Sequence, residues 1–375
     1  MDTADLLPDD AERAVLVGRV WLEGRGPRVV AVRGDGLIDL GELAPTMSDL
    51  LDLPDVCAAV RQAGGFALGR ISDLGGERIR LLAPCDLQAV KAAGVTFADS
   101  LLERVIEEQA RGDAGRAHDL RGRLTDMLGE GWRRVRPGSP EAERLKTVLQ
   151  AEGLWSQYLE VGLGPHAEIF TKAQPMASVG AGADIGVRPD SAWNNPEPEV
   201  VLACNARGEV VGATLGNDVN LRDFEGRSAL LLGKAKDNNA SCAVGPFIRL
   251  FDEAFGMDDV RTAELQLSVR GLDGFALTGS SSMRQISRDP LDLVAQTFGA
   301  HHQYPDGAML FLGTLFTPTQ DRGAPGMGFT HSPGDIVRIG SPKLGVLTNR
   351  VVHTDAAAPW TFGVRALYRS LAAAG

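Results

Sequence analysis

Residues 193–202 read W-N-N-P-E-P-E-V-V-L: two glutamates flank a proline at the mouth of an apolar run. In a strand, residues i and i+2 point to the same side, so Glu197 and Glu199 project together. Two adjacent carboxylates repel, and one of them is pushed towards its neutral form. A divalent cation removes the conflict, and hard oxygen donors suit Mg²⁺ or Mn²⁺. Read alone, the motif fits a solvated E-P-E turn equally well. Pro198 suits a strand entry, where its missing N–H costs little.

The chain on either side is β-rich. From residue 158 onward, glycines and prolines punctuate short apolar runs such as E-V-V-L-A-C, E-V-V-G-A-T-L-G, L-Q-L-S-V-R-G and D-I-V-R-I-G. These runs predict an all-β-like body with a few helices, one of them over 289–297. Residues 14–42 alternate apolar and polar residues between glycines, the pattern of short antiparallel strands, and a short helix follows. Residues 99–153 have helical spacing, with helices expected from 99 to the stop at Gly112, over 115–130 and over 140–153. Most charges there read as a solvated helix face. With a boundary near residue 85, the chain divides into a small N-terminal α+β domain, 1–85, and a larger unit, 86–375. The class is α+β and β-rich.

The formal net charge of −11 argues against a nucleic-acid partner. An acidic N-terminus without an apolar stretch gives no signal-peptide pattern, and no run is long enough to span a bilayer. Four cysteines without C-x-x-C spacing fit a reduced, cytoplasmic protein. No phosphate-cradling glycine motif is present.

Further candidates follow the E-P-E pair. Asp218, in L-G-N-D-V-N-L-R-D-F-E-G-R, can add a third oxygen ligand after a strand. Arg222 can hold the ligand-bearing loop or pair with a substrate carboxylate. Lys234 follows an apolar run and a glycine; it is either a surface lysine or a base whose proton affinity burial has lowered. Lys236 reads as the surface case. His301, His302 and His331 read as loop or interface histidines.

Taken in order, Glu197/Glu199, N-D-V-N-L-R-D at 217–223, Gly233-Lys234 and Gly245-Pro246 resemble the fumarylacetoacetate hydrolase superfamily. F-T-K at 170–172, Ser281-Ser282-Met283, Gly313-Thr314 and P-G-D-I-V-R-I at 333–339 extend the match over about residues 86–375. W-N-N-P-E-P-E-V-V-L, K-A-K-D-N-N-A-S-C-A and G-F-T-H are similar to the bacterial 2-keto-3-deoxy-xylonate dehydratase branch. The resemblance implies a β-roll catalytic domain, a Mg²⁺ site at Glu197, Glu199 and Asp218, and a homodimer or homotetramer. It also implies loss of water from a 2-keto-3-deoxy-pentonate to give 2-oxoglutarate semialdehyde. The superfamily's hydrolases carry a His and a Glu on a lid helix; here Ser100 stands in the histidine's place and Glu103 keeps the glutamate's. That departure favours elimination over C–C hydrolysis. On this reading Lys234 is the base and Glu103 the acid, oriented by Ser100. Thr314 binds the carboxylate, while Arg222, Glu225 and Ser281 complete the substrate contacts. Acylpyruvate hydrolase or decarboxylase, 3-deoxy-pentonate aldolase and a sugar-acid-binding sensor are the rival readings.

Overall fold

A computed structural model describes residues 3–111, 113–118, 135–151, 155–314, 318 and 320–374. Its framework is two sheets. The first contains β1 (Leu16–Leu22), β2 (Gly26–Arg33), β3 (Gly36–Asp39), β4 (Ala67–Arg70), β5 (Ile79–Leu82), β6 (Ala89–Gly94) and β7 (Glu168–Ala173). The second begins with β8 (Asp184–Val187), while β9 (Asn194–Asn195) belongs to a separate two-stranded ladder. The chain returns to the first sheet with β10 (Pro198–Cys204) and β11 (Val210–Asp218); β12 (Asn220–Leu221) then closes the small ladder with β9. β13 (Cys242–Leu250) also joins the first sheet, followed by β14 (Glu264–Arg270) and β15 (Ala276–Ser282) of the second. β16 (Ala308–Phe311) completes the first sheet, and β17 (Ile336–Ser341) and β18 (Gly345–His353) complete the second.

The order across the first sheet is β4-β3-β2-β1-β13-β11-β10-β16-β6-β7, with β5 on β1; the second runs β15-β14-β17-β18-β8. β10 explains its own sequence. Val200 and Leu202 enter the core between the two sheets, while Val201 and Ala203 enter a second core with Met47, Leu50 and Val60. Both faces are covered, so the run is continuously apolar instead of alternating.

Four strand spacings separate β7 from β11, ~19 Å in a flat sheet. Yet Lys172 on β7 reaches Asp218 on β11 at 2.9 Å. The sheet is therefore curled into a roll, and its concave end gathers polar side chains from β7, β10 and β11.

The expected N-terminal strands are present as β1–β3, and two short helices, Met47–Leu51 and Val56–Gln62, follow them. These strands are continuous with the rest: β1 pairs with β13, Leu16 opposite Arg249. Arg19 and Asp86 form an ion pair at 3.3 Å across the position where the boundary was expected, with both side chains buried. Helices at Ala98–Ala110, Pro140–Ala151 and Pro290–Thr297 match three of the expected segments. The one expected over 115–130 lies largely outside the described residues. Among the described residues, no helix is long and apolar enough to cross a membrane. All four cysteines are free and buried.

Candidate metal centre

β10 and β11 are antiparallel with Pro198 opposite Asn217. The same register sets Glu197 against Asp218, whose N–H donates to the Glu197 carbonyl at 3.0 Å. Glu199 stands one rung further on, opposite Gly216. All three carboxyl groups are buried, and ligand oxygens from each lie within 4.8 Å of one another. The Gly313 N–H, just beyond β16, donates to Glu199 Oε2 at 2.6 Å. Gly313 has a φ of +92° and an added Cβ would stand 2.0 Å from Thr96 Oγ1, so no other residue fits this turn.

Four buried cations face the carboxylates. Lys236 Nζ lies 2.5 Å from Glu197 Oε2 and 3.0 Å from Asp218 Oδ2. Lys172 Nζ pairs with Asp218 Oδ1 and donates to the carbonyls of Val219 (3.1 Å) and Lys236 (2.5 Å). Arg104 bonds Glu197 and also reaches Glu107 (2.7 Å) and Glu225 (3.1 Å). Arg222 pairs with Glu107 (2.6 Å) and Glu103 (2.9 Å), and its guanidinium stacks 4.1 Å from the Trp193 ring centre. Seven carboxyl groups, those of Glu103, Glu107, Glu168, Glu197, Glu199, Asp218 and Glu225, meet these four cations. Among the described residues that is an excess of carboxyl groups, which protons or a bound cation would balance.

The titration behaviour follows from that imbalance. Burial, then the charges of Asp218 and Glu197, push Glu199 well above the usual carboxylate range. Burial raises Glu225 as well, against the pull of Arg104 and Lys236. Asp218 is held low: burial works upward, but Lys172 and Lys236 outweigh it. Burial would strip the proton from Lys236, yet Asp218, Glu197 and Glu225 hold it as an ammonium. Burial and Glu225 raise Glu168, on β7, to about 7. Gly94 makes room for that carboxyl; a Cβ there would lie 2.0 Å from Glu168 Oε2.

Three hard oxygen donors from one strand pair, with an excess of buried negative charge, fit a divalent cation of the Mg²⁺ type. The three carboxylates open onto a narrow cleft whose lining includes Ser100, Arg104, Glu168, Lys236 and Thr314.

The structure moves several expected residues. Lys234 is exposed, whereas Lys236 is buried in the cleft. Both lie on the short helix Leu232–Lys236, where two positions differ by about 200° of rotation, so only one can face the site. Ser100 lines the cleft, but its hydroxyl donates to the Phe97 carbonyl at 2.9 Å, and Glu103 is engaged by Arg222. Arg222 latches helix Ala98–Ala110 and is not among the residues lining the cleft. Thr314 and Glu225 do line it. Ser281 sits in the second sheet opposite Leu265, away from the lining. Two helix charges read as solvated, Arg104 and Glu107, are buried, and with Ser100 and Glu103 they share one stripe at i, i+3, i+4 and i+7. That spacing was available in the sequence, as was F-T-K, which contains Lys172. His331 is buried against Asp335 at 3.3 Å and belongs to a separate ion-pair cluster with Arg322.

Comparison with known proteins agrees with this geometry. The family model described as fumarylacetoacetate (FAA) hydrolase C-terminal matches residues 164–352. A probable 2-keto-3-deoxyxylonate dehydratase of Haloferax volcanii is 32% identical over 194 residues, 52% of this chain and 63% of that protein. The 2-dehydro-3-deoxy-D-arabinonate dehydratase of Saccharolobus solfataricus is 32% identical over 184 residues, 49% of this chain and 58% of that protein. The matched segments thus span less than two thirds of either relative. A solved 2-keto-3-deoxy-D-arabinonate dehydratase complexed with magnesium and 2,5-dioxopentanoate superposes with a TM-score of 0.64 at 22% identity, covering 90% of this chain and 99% of that one. The curled sheet, the carboxylate rung and a match over half of its length place this chain in the fumarylacetoacetate hydrolase C-terminal family.

Proposed function

We propose that the chain is a Mg²⁺-dependent dehydratase that removes water from a 2-keto-3-deoxy-pentonate to give 2-oxoglutarate semialdehyde. One observation carries the reading: a buried carboxylate triad shares a cleft with two proton-bearing groups, Lys236 Nζ and the Glu168 carboxyl. The names of the two curated relatives support a sugar-acid substrate. Four free, buried cysteines fit the reducing cytoplasm. Mn²⁺ suits the same oxygen donors as Mg²⁺. A homo-oligomer is the assembly the family resemblance implies, and light scattering measures it.

Glu197, Glu199 and Asp218 would hold the cation. When bound, Mg²⁺ supplies the positive charge that polarises a 2-keto acid and engages the carboxylates now fixing Lys236 as an ammonium. With those carboxylates engaged, Lys236 would release its ammonium proton to solvent, and the neutral Nζ would accept the proton from C3. The role of acid passes from Glu103 to Glu168, which lines the cleft and carries its proton up to about pH 7. Glu168 gives that proton to the C4 hydroxyl, which leaves as water. A further proton shift from C5 yields the aldehyde. Thr314, beside Glu199's donor Gly313, is placed to bind the substrate carboxylate. The ion pairs of Arg104 and Arg222 hold helix Ala98–Ala110 over the cleft, and this excludes bulk water.

The test is incubation of the purified chain with Mg²⁺ and 2-keto-3-deoxy-D-xylonate or its C4 epimer 2-keto-3-deoxy-L-arabonate, with products followed by NMR. The expected product is 2-oxoglutarate semialdehyde. Pyruvate with glycolaldehyde would transfer the chain to aldolases, and inertness towards both epimers would reject the sugar-acid reading.

A further inference from the structure

The strand pair that carries the triad continues past it in one register. Asn195 on β9 stands opposite Asn220 on β12. Glu197 stands opposite Asp218, joined by the 3.0 Å bond from the Asp218 N–H. Because i and i+2 share a side, successive rungs of one face are Glu199/Gly216, Glu197/Asp218 and Asn195/Asn220. The last rung replaces carboxylates by two neutral carboxamides, both fully buried.

These carboxamides are nearly unpaired. Asn195 Nδ2 donates to the Pro196 carbonyl at 2.9 Å. Asn195 Oδ1, Asn220 Oδ1 and Asn220 Nδ2 have no hydrogen-bond partner among the described residues. Buried polar atoms in this state are costly, and two leucines would fill similar volumes without that cost. The two amides face each other across the ladder without a hydrogen bond between them. Water, with two donors and two acceptors, satisfies all three, and such sites take waters that make two to four bonds.

We propose that the Asn195–Asn220 rung is a binding site for ordered internal water, bridging β9 to β12. The bridge ties together the two strand segments that enter Glu197 and leave Asp218, so both asparagines act as positioning residues for the metal rung.

The test is an experimental structure of the full chain, wild type and Asn220→Leu, at a resolution that resolves ordered water, together with Mg²⁺ titration by calorimetry. The expected results are a solvent peak within hydrogen-bond distance of both carboxamides in wild type, its loss in the variant, and Mg²⁺ binding about tenfold weaker, the usual effect of removing support for a metal ligand. Wild-type density with the amides bonded to each other, or to another protein group, and no solvent peak would overturn the site even if the variant failed to fold. A solvent peak with unchanged Mg²⁺ affinity in Asn220→Leu would overturn the positioning role. Neither arm uses turnover, so loss of the dehydratase reading would leave the inference standing.

Discussion

Two charged surfaces meet at the centre, and they are built differently. The β10–β11 pair presents Glu197, Glu199 and Asp218 on a ladder whose spacing is fixed by backbone hydrogen bonds. Helix Ala98–Ala110 presents Arg104, Glu103 and Glu107, and crosses to the rest of the site through side-chain ion pairs to Glu197, Glu225 and Arg222. The ladder can lose one carboxylate and keep its shape. The helix face cannot lose one cation without leaving a partner buried and uncompensated. Strands thus supply the geometry that binds a cation, and the helix supplies a charge-dependent latch.

The largest expected effect breaks the ladder's chemistry alone. Glu199→Gln keeps the shape and the Gly313 contact but removes a charged oxygen donor, so turnover falls below detection while the thermal midpoint holds. An active variant would end the metal assignment. Next, Lys236→Met should slow turnover by about 10²–10⁴, the usual range for a lost proton-transfer group, whereas Lys234→Met, altering an exposed neighbour, should stay near wild type. Equal effects at the two positions would refute the placement of the base.

Arg222→Met addresses the latch. It takes the Arg222 charge away from Glu103 and leaves Glu107 with Arg104 alone, at a cost of up to about 3–5 kcal/mol, which chemical denaturation will measure. A loss under 1 kcal/mol would mean that the helix face is solvated in solution.

The smallest effect is a pH dependence. Glu168 is raised in the folded chain to about 7, from an ordinary value near 4.5. The folded state therefore holds its proton more tightly than the unfolded state. Its contribution to stability is complete below pH ~4.5 and is lost as pH rises through ~7. In magnesium-free buffer, the thermal midpoint of Glu168→Gln should decline less over that interval than wild type. The same titration should give turnover a falling limb above neutrality that the variant lacks.

Legibility in the sequence follows the same division. The strand motif could be read because period-two geometry converts E-P-E directly into two carboxylates on one side, and because a doubly covered strand stays apolar throughout. Asp218 was legible for the same reason, one strand on. The lysine was misread because Leu232–Lys236 is a short helix, and a two-residue offset there reverses the direction of a side chain. Arg104 and Glu107 were hidden because charged residues on a helix ordinarily mark its solvated face; here the i, i+3, i+4, i+7 stripe of polar residues is the one that turns inward. F-T-K marks Lys172 in the sequence, but its partner is set by topology. Only the curl of the sheet, which pattern along the chain does not encode, carries β7 to Asp218. The N-terminal strands were legible as strands, but their continuity with β13 depends on pairing between residues more than 200 apart.

The most direct test of the central claim is calorimetric titration of Mg²⁺ into the wild-type chain and Glu199→Gln at several pH values. The account predicts one site per chain in wild type, tightening as pH rises because the cation displaces a proton held on Glu199, and no such site in the variant. Binding of equal strength in both proteins, or none in either, would contradict it.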